Sequence, residues 1–235
     1  MITRKEESAA MGIMVGFLVF PRIQQLDLTG PYEVFAAWPG TKIHLIWKTL
    51  APVASTTGLL LTPDTSFAAC PALDVLCIPG GSGVNALMED PETLAFVRDQ
   101  AQQARYVTSV CTGALVLAAA GLLRGRRAAT HWNALDLLRP FGAIPTAQRI
   151  VRDGNLITAG GVTAGIDFGL AVIAELAGQA EAETIQLGLE YAPAPPFAAG
   201  TPETASSEVL DAARRRGATS RREREAIVAR IARPG

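Results

Sequence analysis

Runs of almost purely apolar residues alternate along this chain with stretches of helical spacing. Residues 13–20 are apolar nearly throughout, which predicts a first strand covered on both faces. Gly30-Pro31 predicts the opening of a short helix, with proline at its first position. Residues 42–49 alternate as a half-buried strand, with His44 on its outward side, and residues 59–62 read as a small hairpin partner for the segment near Val53. Val75–Ile78 is a short apolar strand that runs straight into Pro79-Gly80-Gly81-Ser82-Gly83. Asp90 is a candidate N-cap for an amphipathic helix over residues 91–105. A β-rich run from Tyr106 to Val110 then meets Cys111, and a small-residue helix over residues 112–120 follows with almost no loop between them.

Further along, residues 150–152 and 156–159 flank Asp153-Gly154, a type I′ hairpin signal. Gly160-Gly161 leads into a long helix over residues 162–177. The run Ala192-Pro193-Ala194-Pro195-Pro196-Phe197 breaks regular structure, and residues 207–231 read as a helical tail. Alternating strands and helices give an α/β fold, a mostly parallel central sheet between helical layers. Ligands of such sheets lie beyond the carboxyl ends of the strands.

At 235 residues the chain fits one such domain, read here as residues 12–235 after a flexible leader over 1–11. Hydrophobic residues make up 49% and charged residues 18%, enough for a full core and too little polarity for extended disorder. The formal net charge of -1 gives no footprint for nucleic acid or an anionic membrane. Arginines gather in Arg214-Arg215-Arg216 and Arg221-Arg222-Glu223-Arg224, where interleaved acids point to a solvated helix face. The longest apolar stretch, residues 113–123, falls far short of the ~20 residues of a membrane span. Three scattered cysteines make no disulfide framework, which suits a reducing cytoplasm.

Chemistry concentrates at Cys111. A tight strand-to-helix turn strains the backbone of its apex residue and lifts that side chain above the sheet edge. The helix that follows aims free N–H groups there, which pushes a thiol toward thiolate. The bland alternative is a small buried hydrophobe. Asp27, flanked by Leu26 and Leu28, is either a cap near the Gly30-Pro31 turn or a carboxyl group raised in pKa beside the thiolate, able to act as general acid. Gly80 and Gly81 either bring backbone N–H groups to a ligand, with the N–H of Thr112, or form an ordinary turn. The Thr112 hydroxyl could orient water or relay a proton. His131, in Thr130-His131-Trp132, is either a structural hydrogen-bonder or the base of a Cys–His pair. Cys70 and Cys77 lack metal-ligand spacing, and Gly80-Gly81-Ser82-Gly83 lacks the lysine of a phosphate cradle.

These segments resemble the ThiJ/PfpI superfamily and, within it, the isonitrile hydratases. The resemblance rests on Gln24-Gln25-Leu26-Asp27-Leu28-Thr29-Gly30-Pro31, Cys77-Ile78-Pro79-Gly80-Gly81 and Thr108-Ser109-Val110-Cys111-Thr112-Gly113. Thr163-Ala164-Gly165-Ile166-Asp167 and residues 189–197 extend it. It implies a flavodoxin-like three-layer sandwich, a homodimer, and chemistry on a small isonitrile without metal or organic cofactor. Cys111 is then the nucleophile, Asp27 the acid bonded to it and Thr112 a supporting hydroxyl. Gly80, Gly81, Val162 and Thr163 are then the substrate-binding positions. Protease-like relatives carry histidine where Thr112 stands, which counts against peptidase chemistry. The segment Asn133–Asp136 departs from the hydratase pattern. Similar elbows occur in AraC-type regulators, but the residues after Phe197 are few for a helix-turn-helix region. Two other uses of the thiol remain on the residues alone, a redox or ligand sensor and a glyoxalase-like enzyme.

Overall fold

The computed structural model describes residues 12–232; the proposed leader over 1–11 lies outside them. Seven strands form one sheet in the order β10-β11-β7-β6-β1-β2-β5. They are β1 (Met14–Leu18), β2 (Lys42–Trp47), β5 (Thr65–Ser66), β6 (Val75–Ile78), β7 (Tyr106–Val110), β10 (Ile150–Asp153) and β11 (Leu156–Ala159), while β8 (Arg127–Ala128) and β9 (Ile144–Pro145) pair apart from them. All neighbours are parallel except β10 and β11, which form an antiparallel hairpin. The apolar runs take the central places, β6 and the last four residues of β7 being buried throughout. Such strands need cover on both faces. One layer contains α1 (Gln25–Ala36), α5 (Ala164–Ala177) and α6 (Gln179–Gly188); the other contains α2 (Val84–Leu87), α3 (Pro91–Gln103), α4 (Gly113–Ala119) and α7 (Ser207–Ile231). Phe35 of α1 bridges the first layer and the sheet, edge-on to Phe17 at 6.1 Å and to Phe168 of α5 at 6.2 Å.

Chain order explains the site's location. From β1 the sheet grows outward to β2 on one side and to β6, β7 and β11 on the other. The direction reverses between β1 and β6, and a crevice opens there at the carboxyl ends. Asp27 follows β1, Gly80 follows β6 and Cys111 follows β7, so the three converge.

Several local expectations hold. Asp90 caps α3 by accepting from the N–H groups of Glu92 and Thr93. The segment Val53–Ala54 (β3) pairs antiparallel with Leu60–Leu61 (β4). Others need correction. Helix α1 begins at Gln25, six residues before Pro31, because Gln24 supplies the extended N-cap backbone without a side-chain bond. Pro31 lies inside the helix, and Asp27 lies in its first turn. His44 is half-buried, with Nδ1 2.9 Å from Thr65 Oγ1 of β5, the strand paired alongside β2. The hairpin register pairs Asp153 with Leu156, so its central residues are Gly154 and Asn155. Of these only Gly154 is left-handed (φ 59°), which fits a type II′ loop better than type I′. Arg214, Arg215 and Arg216 are solvated as expected, but Arg221 and Arg224 turn inward.

Candidate active site

The elbow is strained as its sequence predicts. Cys111 has φ 55°, one of three non-glycine residues with positive φ among those described. Its N–H donates to the Ala159 carbonyl at 3.0 Å, and its carbonyl accepts from the Thr130 hydroxyl at 2.7 Å. Both neighbours therefore fix the apex from the β11 side. Two residues on, the backbone passes too close to β6 for a side chain, since a Cβ on Gly113 would stand 1.9 Å from the Ile78 carbonyl oxygen.

Asp27 is fully buried, and its Oδ2 accepts from the Gly80 N–H at 2.8 Å. Its Oδ1 is buried without a hydrogen-bond partner, and the Cys111 thiol is the side chain that couples to the carboxyl. Desolvation pushes the Asp27 pKa from 3.8 up to about 7; the Gly80 N–H and the thiol oppose that rise. Thr112 is buried beside them. Its Oγ1 accepts from the Gly81 N–H at 3.1 Å and lies 3.3 Å from the Gly81 carbonyl, to which it donates.

The glycine turn therefore has a different arrangement from a free anion pocket. The N–H groups of Gly80 and Gly81 are taken by Asp27 and Thr112, and the Thr112 N–H is the one that addresses the sulfur. A Cβ on Gly80 would fall 2.7 Å from Asp27 Oδ2 and 2.6 Å from the Thr112 nitrogen. Glycine here lets the β6 turn clamp the acid and the threonine together.

The thiol itself is pushed well above its ordinary value, first by burial and then by the charge of Asp27. The Thr112 N–H and, more weakly, Arg224 pull it back down. The helix N-terminus alone was expected to favour thiolate; in the closed site, with Cys111 6% exposed, burial outweighs it. Above about pH 7 the pair holds one proton between two groups and carries one negative charge.

The structure does not bring every expected residue to the sulfur. Val162 is half-buried on the turn after β11, and Thr163 is exposed, its oxygens engaged by Arg149. His131 is the N-cap of a 3₁₀ segment, Trp132–Phe141, its Nδ1 accepting from the Asn133 N–H at 3.3 Å. Burial and then Arg224 lower its pKa, keeping the ring neutral. Two polar residues at the site escaped the sequence reading. Asn85 and Arg224 are both buried, and they bond to each other at 3.1 Å. A signal existed for Arg224, because Val228 and Ile231 follow it at i+4 and i+7, placing it on the inward stripe of its helix. Cys77 is a buried strand thiol with its pKa pushed up to about 12, chiefly by burial.

A doubly wound sheet with a left-handed cysteine at a strand–helix elbow and a carboxyl buried against the thiol defines a class of α/β proteins suited to thiol chemistry on a small, sequestered ligand. The DJ-1/PfpI family model matches residues 14–175, and the chain belongs to that family. It is 60% identical to an isonitrile hydratase of Pseudomonas putida, over 94% of this chain and 97% of that one. The crystal structure of a ThiJ/PfpI family protein from Pseudomonas syringae superposes with a TM-score of 0.90 at 46% identity, covering 92% of this chain and 90% of the other. The HTH-type transcriptional regulator GbdR of Pseudomonas aeruginosa is 31% identical over 68% of this chain but only 45% of its own.

Proposed function

We propose that this chain is an isonitrile hydratase that works through a covalent thioimidate on Cys111. The observation that carries the chemistry is the buried Cys111–Asp27 pair, which holds a nucleophile and an acid on one shared proton. Identity of 60% to a hydratase along nearly the whole chain supports the substrate class.

The shared proton passes from Sγ to Asp27, the Cys111 thiolate so formed adds to the terminal carbon of R–N≡C, and Asp27 protonates that same carbon. The product of this step is R–N=CH–S–Cys111. Water then adds to the carbon of the thioimidate, giving one proton to the nitrogen. Collapse of the tetrahedral adduct releases R–NH–CHO and restores the Cys111 thiolate, and the remaining proton returns to Asp27. The atoms of one isonitrile and one water are those of one N-substituted formamide. Thr112 holds its N–H toward the sulfur, and Gly80 holds the acid in line. A closed site favours this route, because it keeps bulk water from competing for the acid's proton.

A homodimer fits the same reading. The segment 192–200 is exposed throughout, with Phe197 80% and the nearby Leu187 81% exposed, apolar surface that a second copy would cover. Sedimentation is expected to give a dimer at micromolar concentration, and a monomer there removes this part. No helix among the described residues is long and apolar enough to cross a membrane. The three unpaired cysteines suit a reducing, cytoplasmic setting.

The test is formamide production from a panel of aryl and alkyl isonitriles. Cys111→Ala is expected to fold like the parent and to give no product. Measurable turnover by that variant removes the covalent mechanism, and a parent inert on the whole panel removes the substrate class.

A further inference from the structure

Burying a guanidinium costs several kcal/mol unless a negative charge lies near it. Arg224 is 6% exposed, although its helix sends Arg214, Arg215, Arg216 and Arg222 into solvent. Its neighbour Arg221 pairs with the carboxylates of Asp136 and Glu225. Arg224 has no such ion pair among the described residues. Its Nε donates to Asn85 Oδ1 at 3.1 Å and a terminal nitrogen donates to Ser220 Oγ at 3.2 Å, both neutral acceptors. Glu223 is turned to the Asn85 amide, which donates to it at 3.3 Å. The positive charge is held in place by groups that do not neutralise it.

Where it is held gives the reason. Asn85 lies in α2, directly after the glycine turn that clamps Asp27 and Thr112. On the opposite wall Thr130 grips the Cys111 carbonyl, and the next residue, His131, feels the Arg224 charge. Helix α7 packs on both α2 and the Trp132–Phe141 segment, and so spans the crevice above the elbow. The charges facing the sulfur are Asp27 from α1 and Arg224 from α7; those facing Arg224 are Cys111, Arg221 and Glu223. Glu223 is exposed and bonded to Asn85, so the buried anion that answers the buried cation is the Cys111–Asp27 pair.

We propose that Arg224 is a positioning residue for the nucleophile: its buried, fixed charge lowers the cost of placing the negative charge of the Cys111–Asp27 pair on sulfur, so that the shared proton can pass to Asp27 when the thiolate attacks. In atomic terms one proton passes from Sγ to a carboxylate oxygen, with no other bond made or broken. Helix α7 lies beyond residues 14–175 matched by the family model, so this control is added to the shared fold from outside it. The inference rests on Cys111 being the nucleophile, but not on which substrate it attacks.

Iodoacetamide alkylation of Cys111, followed by peptide mass spectrometry from about pH 5 to 10, reads the thiolate without any isonitrile. Arg224→Gln keeps a donor for Asn85 and removes the charge. Its alkylation at pH 7 is expected to slow about tenfold, with the pH midpoint rising by about one unit, as the loss of one partly screened neighbouring charge requires. Arg224→Lys is expected to recover most of the rate. A profile for Arg224→Gln that superimposes on the parent's overturns the proposal, and so does an Arg224→Lys variant no faster than Arg224→Gln. Arg224→Met, which keeps the apolar stem, gives the same comparison if Arg224→Gln does not fold. A shifted profile in a protein that turns over no isonitrile sustains this inference and overturns the proposed function; normal turnover with an unshifted profile does the reverse.

Discussion

Replacing Asp27 by asparagine separates the carboxyl's shape from its proton. The amide can still accept from the Gly80 N–H and donate toward the sulfur, but it neither ionises nor supplies a proton. In the parent the carboxyl is fully buried, and desolvation raises its pKa from 3.8 to about 7. Unfolding restores the ordinary value. The folded chain thus keeps this proton to higher pH than the unfolded chain does. Its stability is complete below about pH 4, falls as pH rises, and levels off just above pH 7. At ~1.4 kcal/mol per pH unit, the interval from 3.8 to about 7 corresponds to about 4 kcal/mol. The asparagine variant does not titrate and escapes that loss. A chain of this length gains about 2–4 °C in Tm per kcal/mol, so the variant's Tm relative to the parent's should grow by roughly 10 °C between about pH 4.5 and 8. Thermal melts across that range measure it. Turnover should drop by ~10²–10⁴, the usual contribution of a general acid, while Cys111 stays alkylatable. A Tm difference that does not change with pH refutes the burial argument. Near-normal turnover puts the acid elsewhere, at His131 or at a water held by Thr112.

Gly80→Ala places a methyl 2.7 Å from both Asp27 Oδ2 and Thr112 Oγ1, so isonitrile turnover should fall at least ~100-fold while circular dichroism stays parental. Retained activity would mean that the clamp between the two residues is dispensable. Asp90→Ala removes the cap of α3 and the partner of Lys48, and should lower stability by about 1 kcal/mol without changing turnover. An unchanged denaturation midpoint for that variant would show that the cap contributes nothing.

The parts legible in the sequence were those encoded within a few residues. Val75–Ile78 and Tyr106–Val110 are buried on both faces, and their unbroken apolar runs announce it. The elbow at Cys111 was readable because a strand signal and a helix signal abut with no room for a relaxed turn. Asp90 was readable because its capping bonds reach only two and three residues ahead. The start of α1 was not, because Gln24 caps with backbone conformation alone. The resting protonation of Cys111 is not legible locally for a different reason. A helix N-terminus is local, whereas the burial and the Asp27 charge that outweigh it come from segments folded over the thiol. Arg224 stayed hidden inside a run of arginines, and only its contact with Asn85, 139 residues earlier, distinguishes it.

That long separation sets a timetable for the chain's synthesis. Strands β1, β6 and β7 and the glycine turn leave the ribosome well before α7. At ~5–20 residues per second, the stretch from Asn85 to Arg224 takes on the order of ten seconds to translate. Through that interval Cys111 can be placed on its elbow but lacks the cation that draws charge onto it. The site is thus completed last, by the helix that both covers the sulfur and brings the cation to it.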